Sequence, residues 1–375
     1  MNLVEQAAKA LVLAPAGIAI PQGALCRTPE EAAEACRSIG PCVVKAQVPT
    51  GKRGKAGGIK RADTPEAAAD AARAILAMSI DGHAVESVLV EACAAIAREF
   101  YAAVLSDFAS RRPLVLFSTE GGMDIEEVAA SRPDALRRAV VDPDAGFSQA
   151  DAAALVRGLD LGAAAEQVTD VLARLYAAYV ASDAELLEIN PLAVLSDGRV
   201  VALDCKFTLD DSAAFRQPAL AAAAAREPAS DLERRGAAAG LKFIQLDGNV
   251  GVLANGAGLT MTTMDAIAHF GGRPANFLEI GGEAYTKAET ALDLVLSNPG
   301  VKSLVVNFCG AFARTDVMAE GVVKAWESLR PTLPVYFSIH GTGEDEAVRL
   351  VRERLGIEPF DLMEDAVKAA VEAAR

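Results

Sequence analysis

The clearest alternation of apolar and polar positions runs through Leu186-Leu187-Glu188-Ile189-Asn190-Pro191-Leu192-Ala193-Val194 and is answered by Val200-Val201-Ala202-Leu203-Asp204-Cys205-Lys206. Such a period of two predicts strands, and Ser196-Asp197-Gly198 between them predicts a hairpin turn. Upstream, the pattern predicts a helix from about Leu3 to Ala16 and an extended segment from Gly17 to Gly23. Thr28-Pro29-Glu30-Glu31 and Thr64-Pro65-Glu66 each open a helix, with threonine as N-cap, proline at the first position and acids in the first turn. Strands are expected from Pro41 to Gln47, Val85 to Ala92, Arg98 to Leu105 and Leu114 to Gly122, and an Ala-rich helical stretch from Ser148 to Ala181.

From Phe215 to Gly236 the pattern dissolves into a Pro- and Ala-rich connection, and beyond it the rhythm changes. Apolar runs at Gly251-Val252-Leu253-Ala254, Asn276-Phe277-Leu278, Ser303-Leu304-Val305-Val306 and Val335-Tyr336-Phe337 each end in a Gly-containing turn followed by a helical pattern. Repeated strand, turn and helix predict an α/β domain with a doubly wound parallel sheet. Two domains are therefore expected, at 1–230 and 237–375. Ligands of such a sheet bind at the carboxyl ends of its strands, where helix N-termini face anions. Asn255-Gly256-Ala257-Gly258 lacks the GxGxxG order, which disfavours a dinucleotide fold.

Charge narrows the function. The net charge of −15 argues against nonspecific nucleic-acid binding. No uncharged apolar run is long enough to span a bilayer, and the first residues, Met1-Asn2-Leu3-Val4-Glu5-Gln6, do not read as a secretory signal. Six scattered cysteines without a CxxC pair suggest a reducing cytoplasm and no structural metal.

In so acidic a chain a compact basic cluster needs a local reason. Pro49-Thr50-Gly51-Lys52-Arg53-Gly54-Lys55-Ala56-Gly57-Gly58-Ile59-Lys60 follows a strand that carries Lys45. Glycines let backbone amides approach a polyphosphate, and the cations neutralise it; the same composition also fits a flexible basic loop. It is not a Walker loop, because the GxxxxGK[ST] spacing is missing. On the hairpin, Glu188 and Asn190 share a face and Asp204 is placed to join them. Hard oxygen donors of this kind suit Mg²⁺ held jointly with nucleotide phosphates, although a polar face of a surface hairpin gives the same pattern. Glu91 and Glu99, at strand ends, are candidates for ribose or adenine contacts. Of the three histidines, His83 sits in an Asp-Gly-His turn, His269 on a helix flank and His340 at a strand end.

Taken in order, Lys45, Arg53-Gly54-Lys55-Ala56-Gly57-Gly58, Ser118-Thr119-Glu120-Gly121-Gly122, Glu188-Ile189-Asn190-Pro191-Leu192, Asp204 with Lys206, Asn255-Gly256-Ala257-Gly258-Leu259 and Pro274-Ala275-Asn276-Phe277-Leu278 resemble the β-subunit family of succinyl-CoA synthetase and relatives such as malate–CoA ligase. The likeness runs over essentially the whole chain. It implies an N-terminal ATP-grasp domain and a C-terminal flavodoxin-like CoA-ligase domain. Position by position, it implies that Lys45 and the Lys52-Arg53-Gly54 loop hold nucleotide phosphates and that Glu91, Ala94 and Glu99 take the adenosine end. Asn190 and Asp204 would hold Mg²⁺, Glu188 would face a phosphohistidine carried by an α subunit, and Asn255 with Ala311, Phe312 and Ala313 would line the site of the organic acid.

The implied activity is that of an ADP-forming acid–CoA ligase using ATP or GTP. A small carboxylic acid is its substrate, CoA is bound mainly through the α subunit, and the assembly is αβ or α2β2, without nucleic acid or membrane. The chain also departs from the family. Pro49-Thr50-Gly51-Lys52 replaces a His-Ala-Gly-Gly lead-in, Cys309-Gly310-Ala311-Phe312 replaces Phe-Gly-Gly-Ile, and Glu283 stands for a third glycine. A methyl at Ala311 and a ring at Phe312 are expected to narrow the anion site and favour an acid other than succinate. The alternatives are an ATP-grasp ligase of specialised metabolism and a nucleotide-binding paralog without turnover.

Overall fold

Thr28 accepts a hydrogen bond from the Glu31 amide and Thr64 one from the Ala67 amide, each at 3.2 Å. These caps, with proline at the first position, start the helices Pro29–Ile39 and Pro65–Leu76. In the computed structural model residues 1–51, 53–123, 125–225, 230–280 and 287–375 are described. Lys52 of the basic loop and Gly281-Gly282-Glu283 lie outside the described residues. The chain divides into two compact units, Met1–Pro228 and Ala229–Arg375, and the division falls inside the Pro- and Ala-rich connection.

Within the first unit, both capped helices pack on a four-stranded antiparallel sheet. Its strands run in the order Gly23–Cys26, Val88–Ala92, Cys42–Ala46, Ile59–Ala62. Val44, Val88 and Val90 from the sheet, with Ala32, Cys36, Ala68, Ala72 and Ile75 from the helices, make its core. A larger antiparallel sheet orders Asn2–Leu3, Lys206–Leu209, Ala184–Leu195, Ile96–Asp107, Arg112–Ser118 and Leu136–Val140, with Val200–Ala202 paired to Ala184–Leu195. The alternation predicted from the sequence decides its two faces. Leu187 and Ile189 are buried with Phe100, Ala102 and Val104 against Val168, Leu172 and Leu175 of helix Ala165–Ala181. Tyr101 and Ala103 point to the opposite face, over Leu116 and Leu136.

The structure corrects two expectations. The stretch from Ser148 to Ala181 is not one helical run but Gln149–Leu155 and Ala165–Ala181, parted where Gly158 (φ +80°) and Gly162 (φ +54°) take left-handed backbone. The second arm of the hairpin is also split, since Leu203-Asp204-Cys205 leaves the ladder between Val200–Ala202 and Lys206–Leu209. There the Leu203 carbonyl accepts from Lys9 at 2.8 Å and Lys45 at 2.6 Å, and the Cys205 amide donates to Asp204 Oδ1 at 2.7 Å. Groups used in that way are not available to a neighbouring strand.

In the second unit, Val250–Ala254, Ser303–Gly310 and Val335–Gly341 form a parallel sheet in that order. Alternate residues of Ser303–Gly310 serve opposite cores. Val305 packs with Ile267, Val367 and Val371, whereas Leu304, Val306 and Phe308 pack with Leu292, Val295, Val322 and Ala347. Helices on both faces explain why the strand is mostly apolar, and its buried polar residues Ser303 and Asn307 are hydrogen-bonded to Ala370 and Thr263. Asn276–Leu278 pairs antiparallel with Phe243–Gln245, and Glu279 bridges Ala254 in parallel fashion. Among the described residues no helix is long and apolar enough to cross a membrane.

Candidate active site

Lys45 lies near the end of its strand, where its ammonium donates to Glu5 Oε1 (2.9 Å), Glu91 Oε2 (2.6 Å) and the Leu203 carbonyl (2.6 Å). Lys9 donates to the same three groups, at 2.7, 2.7 and 2.8 Å. Arg53 extends the cluster. Its Nη2 donates to both oxygens of Asp204, at 2.6 and 2.7 Å, and its Nη1 donates to the Ala46 carbonyl at 3.1 Å. The same Nη1 stands 2.8 Å from Glu5 Oε2, close enough to pair but off the line of a hydrogen bond. Glu5, Glu91 and Asp204 thus face Lys9, Lys45 and Arg53, three acids against three bases, and all but Asp204 are buried.

Burial alone would raise the carboxyl pKa of Glu5, but Lys45, Lys9 and Arg53 together hold it well below the usual carboxylate range. Burial likewise opposes the charge of Lys45, and Glu5, Glu91 and Asp204 overcome it, leaving the ammonium harder to deprotonate than an ordinary lysine. A depressed carboxyl contributes stability that is fully present above its ordinary value of 4.5 and is lost as pH falls through its folded value. The melting temperature of wild type is therefore expected to exceed that of Glu5→Gln by a constant margin above that value, and the margin should shrink below it. A margin that instead widens on acidification in thermal melts would contradict the ion pairing.

The hairpin carries the next group. Glu188 lies opposite Lys206, and Leu192 opposite Ala202, a register that sets Asn190 and Asp204 at facing positions. The buried Tyr101 hydroxyl donates to Glu188 Oε2 at 2.9 Å. Burial, reinforced by the Glu188 charge, raises the pKa of that phenol, so it remains a donor. Asn190 Oδ1 accepts from the Gly122 amide at 2.8 Å, and its Nδ2 donates to the Met123 carbonyl at 2.9 Å. Gly121 folds so closely over strand Ile96–Asp107 that a Cβ there would lie 2.4 Å from the Phe100 carbonyl oxygen. At Gly122, with φ +70°, a Cβ would lie 2.5 Å from Glu99 Oε2. Gly121→Ala is expected to cost about 1–3 kcal/mol through a displaced backbone. It should lower turnover by shifting the loop that holds Asn190, and a melting temperature equal to wild type would show that the loop tolerates a side chain.

The cluster and the hairpin meet at Asp204, so the structure brings together Lys45, Arg53, Glu91 and Asp204, with Asn190 facing. Glu99 stands beside the Gly122 loop. Ala94, in the link between the two sheets, packs against Ala193, Leu195 and Val201, and Gly54 is exposed in the turn after Arg53. Glu91, expected at an adenosine, has both oxygens on lysines. For a divalent cation, the carboxylate of Asp204 and the amide oxygen of Asn190 are hard donors of the type Mg²⁺ takes. Among the described residues, no group of three or more His, Cys, Asp or Glu side chains could hold a metal without such help. The donor set fits a cation shared with phosphates. Sequence reasoning missed Glu5, Lys9 and Tyr101. The available signal was the spacing of Glu5 and Lys9, which share one helix face with Val12 and set a charged pair on an otherwise apolar stripe.

In the second unit, Asn255 joins two strand ends. Its Nδ2 donates to the Cys309 carbonyl and its Oδ1 accepts from the Cys309 amide, both at 2.8 Å. Gly256 (φ +79°) then starts helix Ala257–His269. Ala311 and Phe312 are exposed and Ala313 is partly buried against the core. Thr342 Oγ1 donates to the Ala311 carbonyl at 2.8 Å, fixing the turn. The Phe312 ring is fully exposed.

Residues 2–194 match the ATP-grasp domain family, and residues 253–371 match the CoA-ligase family. A Thermus thermophilus protein named succinate–CoA ligase [GDP-forming] subunit beta is 45% identical, covering 94% of this chain and 93% of its own. The succinate–CoA ligase [ADP-forming] subunit beta of Rubrobacter xylanophilus is also 45% identical, over 100% of this chain and 99% of its own. Among solved structures, the ATP citrate lyase of Methanothrix soehngenii in complex with citrate and coenzyme A shares the fold. Its TM-score is 0.79 at 24% identity, with 99% of both chains covered.

Proposed function

Because the chain belongs to the family of succinate–CoA ligase β subunits, we propose that it is the nucleotide-cleaving subunit of an acid–CoA ligase. In this reading residues 1–230 are the ATP-grasp domain and 237–375 the CoA-ligase domain, working in the cytoplasm with an α subunit in an αβ or α2β2 assembly. The observation that carries it is the pairing of buried Lys45 and Arg53 with a hairpin on which Asp204 and Asn190 face each other. Phosphoryl transfer needs cations on the phosphates and oxygen donors for their metal, with little covalent chemistry from the protein.

Lys45, Lys52, Arg53 and Gly54 hold the phosphates of ATP or GTP, and Ala94 and Glu99 the nucleoside, while Glu91, expected there from the sequence, holds Lys45 in place. Asn190 and Asp204 hold Mg²⁺, which when bound neutralises charge developing on the phosphate oxygens. Glu188, oriented by Tyr101, steadies an imidazole of the partner. The bond from the terminal phosphorus to its bridging oxygen breaks, a bond to the imidazole nitrogen forms, and ADP leaves. The phosphoryl group then passes to the carboxylate of the acid, near Asn255 and Ala311 to Ala313. The sulfur of CoA, held mainly by the α subunit, displaces phosphate to give the thioester.

The acid is succinate. Relatives at 45% identity that are named succinate–CoA ligase subunit beta support this choice. The test is ADP and GDP release by the full chain with an α-type partner, CoA and a panel of mono- and dicarboxylates. Release that needs partner, acid and CoA, and is fastest with succinate, is expected. No release with any acid overturns the reading, and a clear preference for another acid overturns the substrate alone.

A further inference from the structure

The site described above leaves a second lysine unexplained. Lys9 is buried, with 3% of its side chain exposed, and Glu5 is wholly buried. An ammonium has three donors, and Lys9 spends all three on Glu5, Glu91 and Leu203; it is also the deeper of the two lysines, with 3% of its side chain exposed against 10% for Lys45, so a ligand from solvent meets Lys45 first. Lys45 uses the same three groups. Two like charges therefore stand side by side over two shared carboxylates. Without Lys9, Glu91 would close on Lys45 alone and Glu5 would be shared only between Lys45 and Arg53, so a phosphate would have to compete with more carboxylate charge at Lys45. Without Glu5, the balance tips the other way and the ammonium is held by less.

We propose that Lys9 and Glu5 are positioning residues acting through Lys45, which set the charge around its ammonium so that it is fixed in place yet still available to a nucleotide phosphate. The proposal rests on the reading of the first unit as a nucleotide site. It separates from a purely structural role by sign. Lys9→Met leaves excess negative charge on Lys45 and weakens Mg-ADP binding about tenfold. Glu5→Gln leaves excess positive charge, so Mg-ADP binds at least as tightly as in wild type while turnover falls, because Lys45 is less well placed. The double variant is neutral again and returns the dissociation constant to within a few-fold of wild type.

Isothermal titration of the full chain with Mg-ADP, alongside thermal melts, tests this. A structural staple predicts that both single variants bind more weakly and the double variant most weakly, and that outcome overturns the proposal, as does wild-type affinity in both single variants. If Lys9→Met does not fold, Glu5→Gln decides alone: binding as tight as wild type or tighter supports the proposal, and weaker binding overturns it. Failure of wild type to bind Mg-ADP or Mg-GDP would instead overturn the nucleotide reading on which it rests.

Discussion

Asp204→Asn is expected to reduce ADP formation by about 10²–10³-fold, the largest loss for any single substitution on the hairpin, since metal stabilisation of transition-state charge is worth several kcal/mol. Asparagine keeps the shape of the side chain and removes the charge a divalent cation requires. Asp204 is suited to the exchange by its position: a third of its side chain is exposed, against 6% for the Arg53 that binds it. A ligand entering from the solvent side reaches the carboxylate before the guanidinium. Arg53 keeps a second carboxylate in Glu5, 2.8 Å away, so losing Asp204 as a partner does not leave it unpaired. The competing view is that Arg53 and Asp204 only join the small sheet to the large one. That view predicts a lower melting temperature with turnover retained per folded molecule. Asn190→Ala adds a second discriminator, an increase in the Mg²⁺ concentration needed for half-maximal rate. Wild-type turnover by Asp204→Asn would remove the metal assignment.

What could be read from the sequence and what could not divide along the range of the interactions. The threonine caps at Thr28 and Thr64 need only residues three positions away, and both formed as expected. The period of two in the hairpin and the apolar strands of the second unit are likewise local, and they fixed which residues face which core. Gly158 and Gly162 were hidden in an Ala-rich stretch, where pattern alone does not reveal a left-handed residue. The break at Leu203 was beyond any local reading, because what diverts that carbonyl is a pair of lysines 194 and 158 positions away. For the same reason Lys45 and Asp204 could be nominated from residue type and order, whereas the charges that tune them could not. Glu5 and Lys9 read as an ordinary helical ion pair until the fold buries them.

Glu188→Gln is expected to leave Mg-ADP binding within about twofold of wild type while slowing phosphoryl transfer by about 10²-fold, a loss in the range seen for general-base and charge-stabilising groups. The substitution keeps an oxygen for the Tyr101 hydroxyl, which donates to Glu188 Oε2 at 2.9 Å, so the side chain stays where it is and only its charge is lost. The charge matters because an imidazole that takes or gives a phosphoryl group is cationic along the way, and a carboxylate in hydrogen-bond reach stabilises that form. Tyr101→Phe separates orientation from charge. It retains the carboxylate but removes the donor that holds it, and should cost less than Glu188→Gln, with the ring still filling its place over Ala103 and Leu116. The measurement is single-turnover transfer of labelled phosphate to the α-type partner, with binding followed separately. Equal losses of binding and transfer in Glu188→Gln would make Glu188 a ligand of the nucleotide or its metal. Loss of transfer alone, graded so that Tyr101→Phe lies between wild type and Glu188→Gln, is the pattern that a carboxylate aimed by a buried phenol requires.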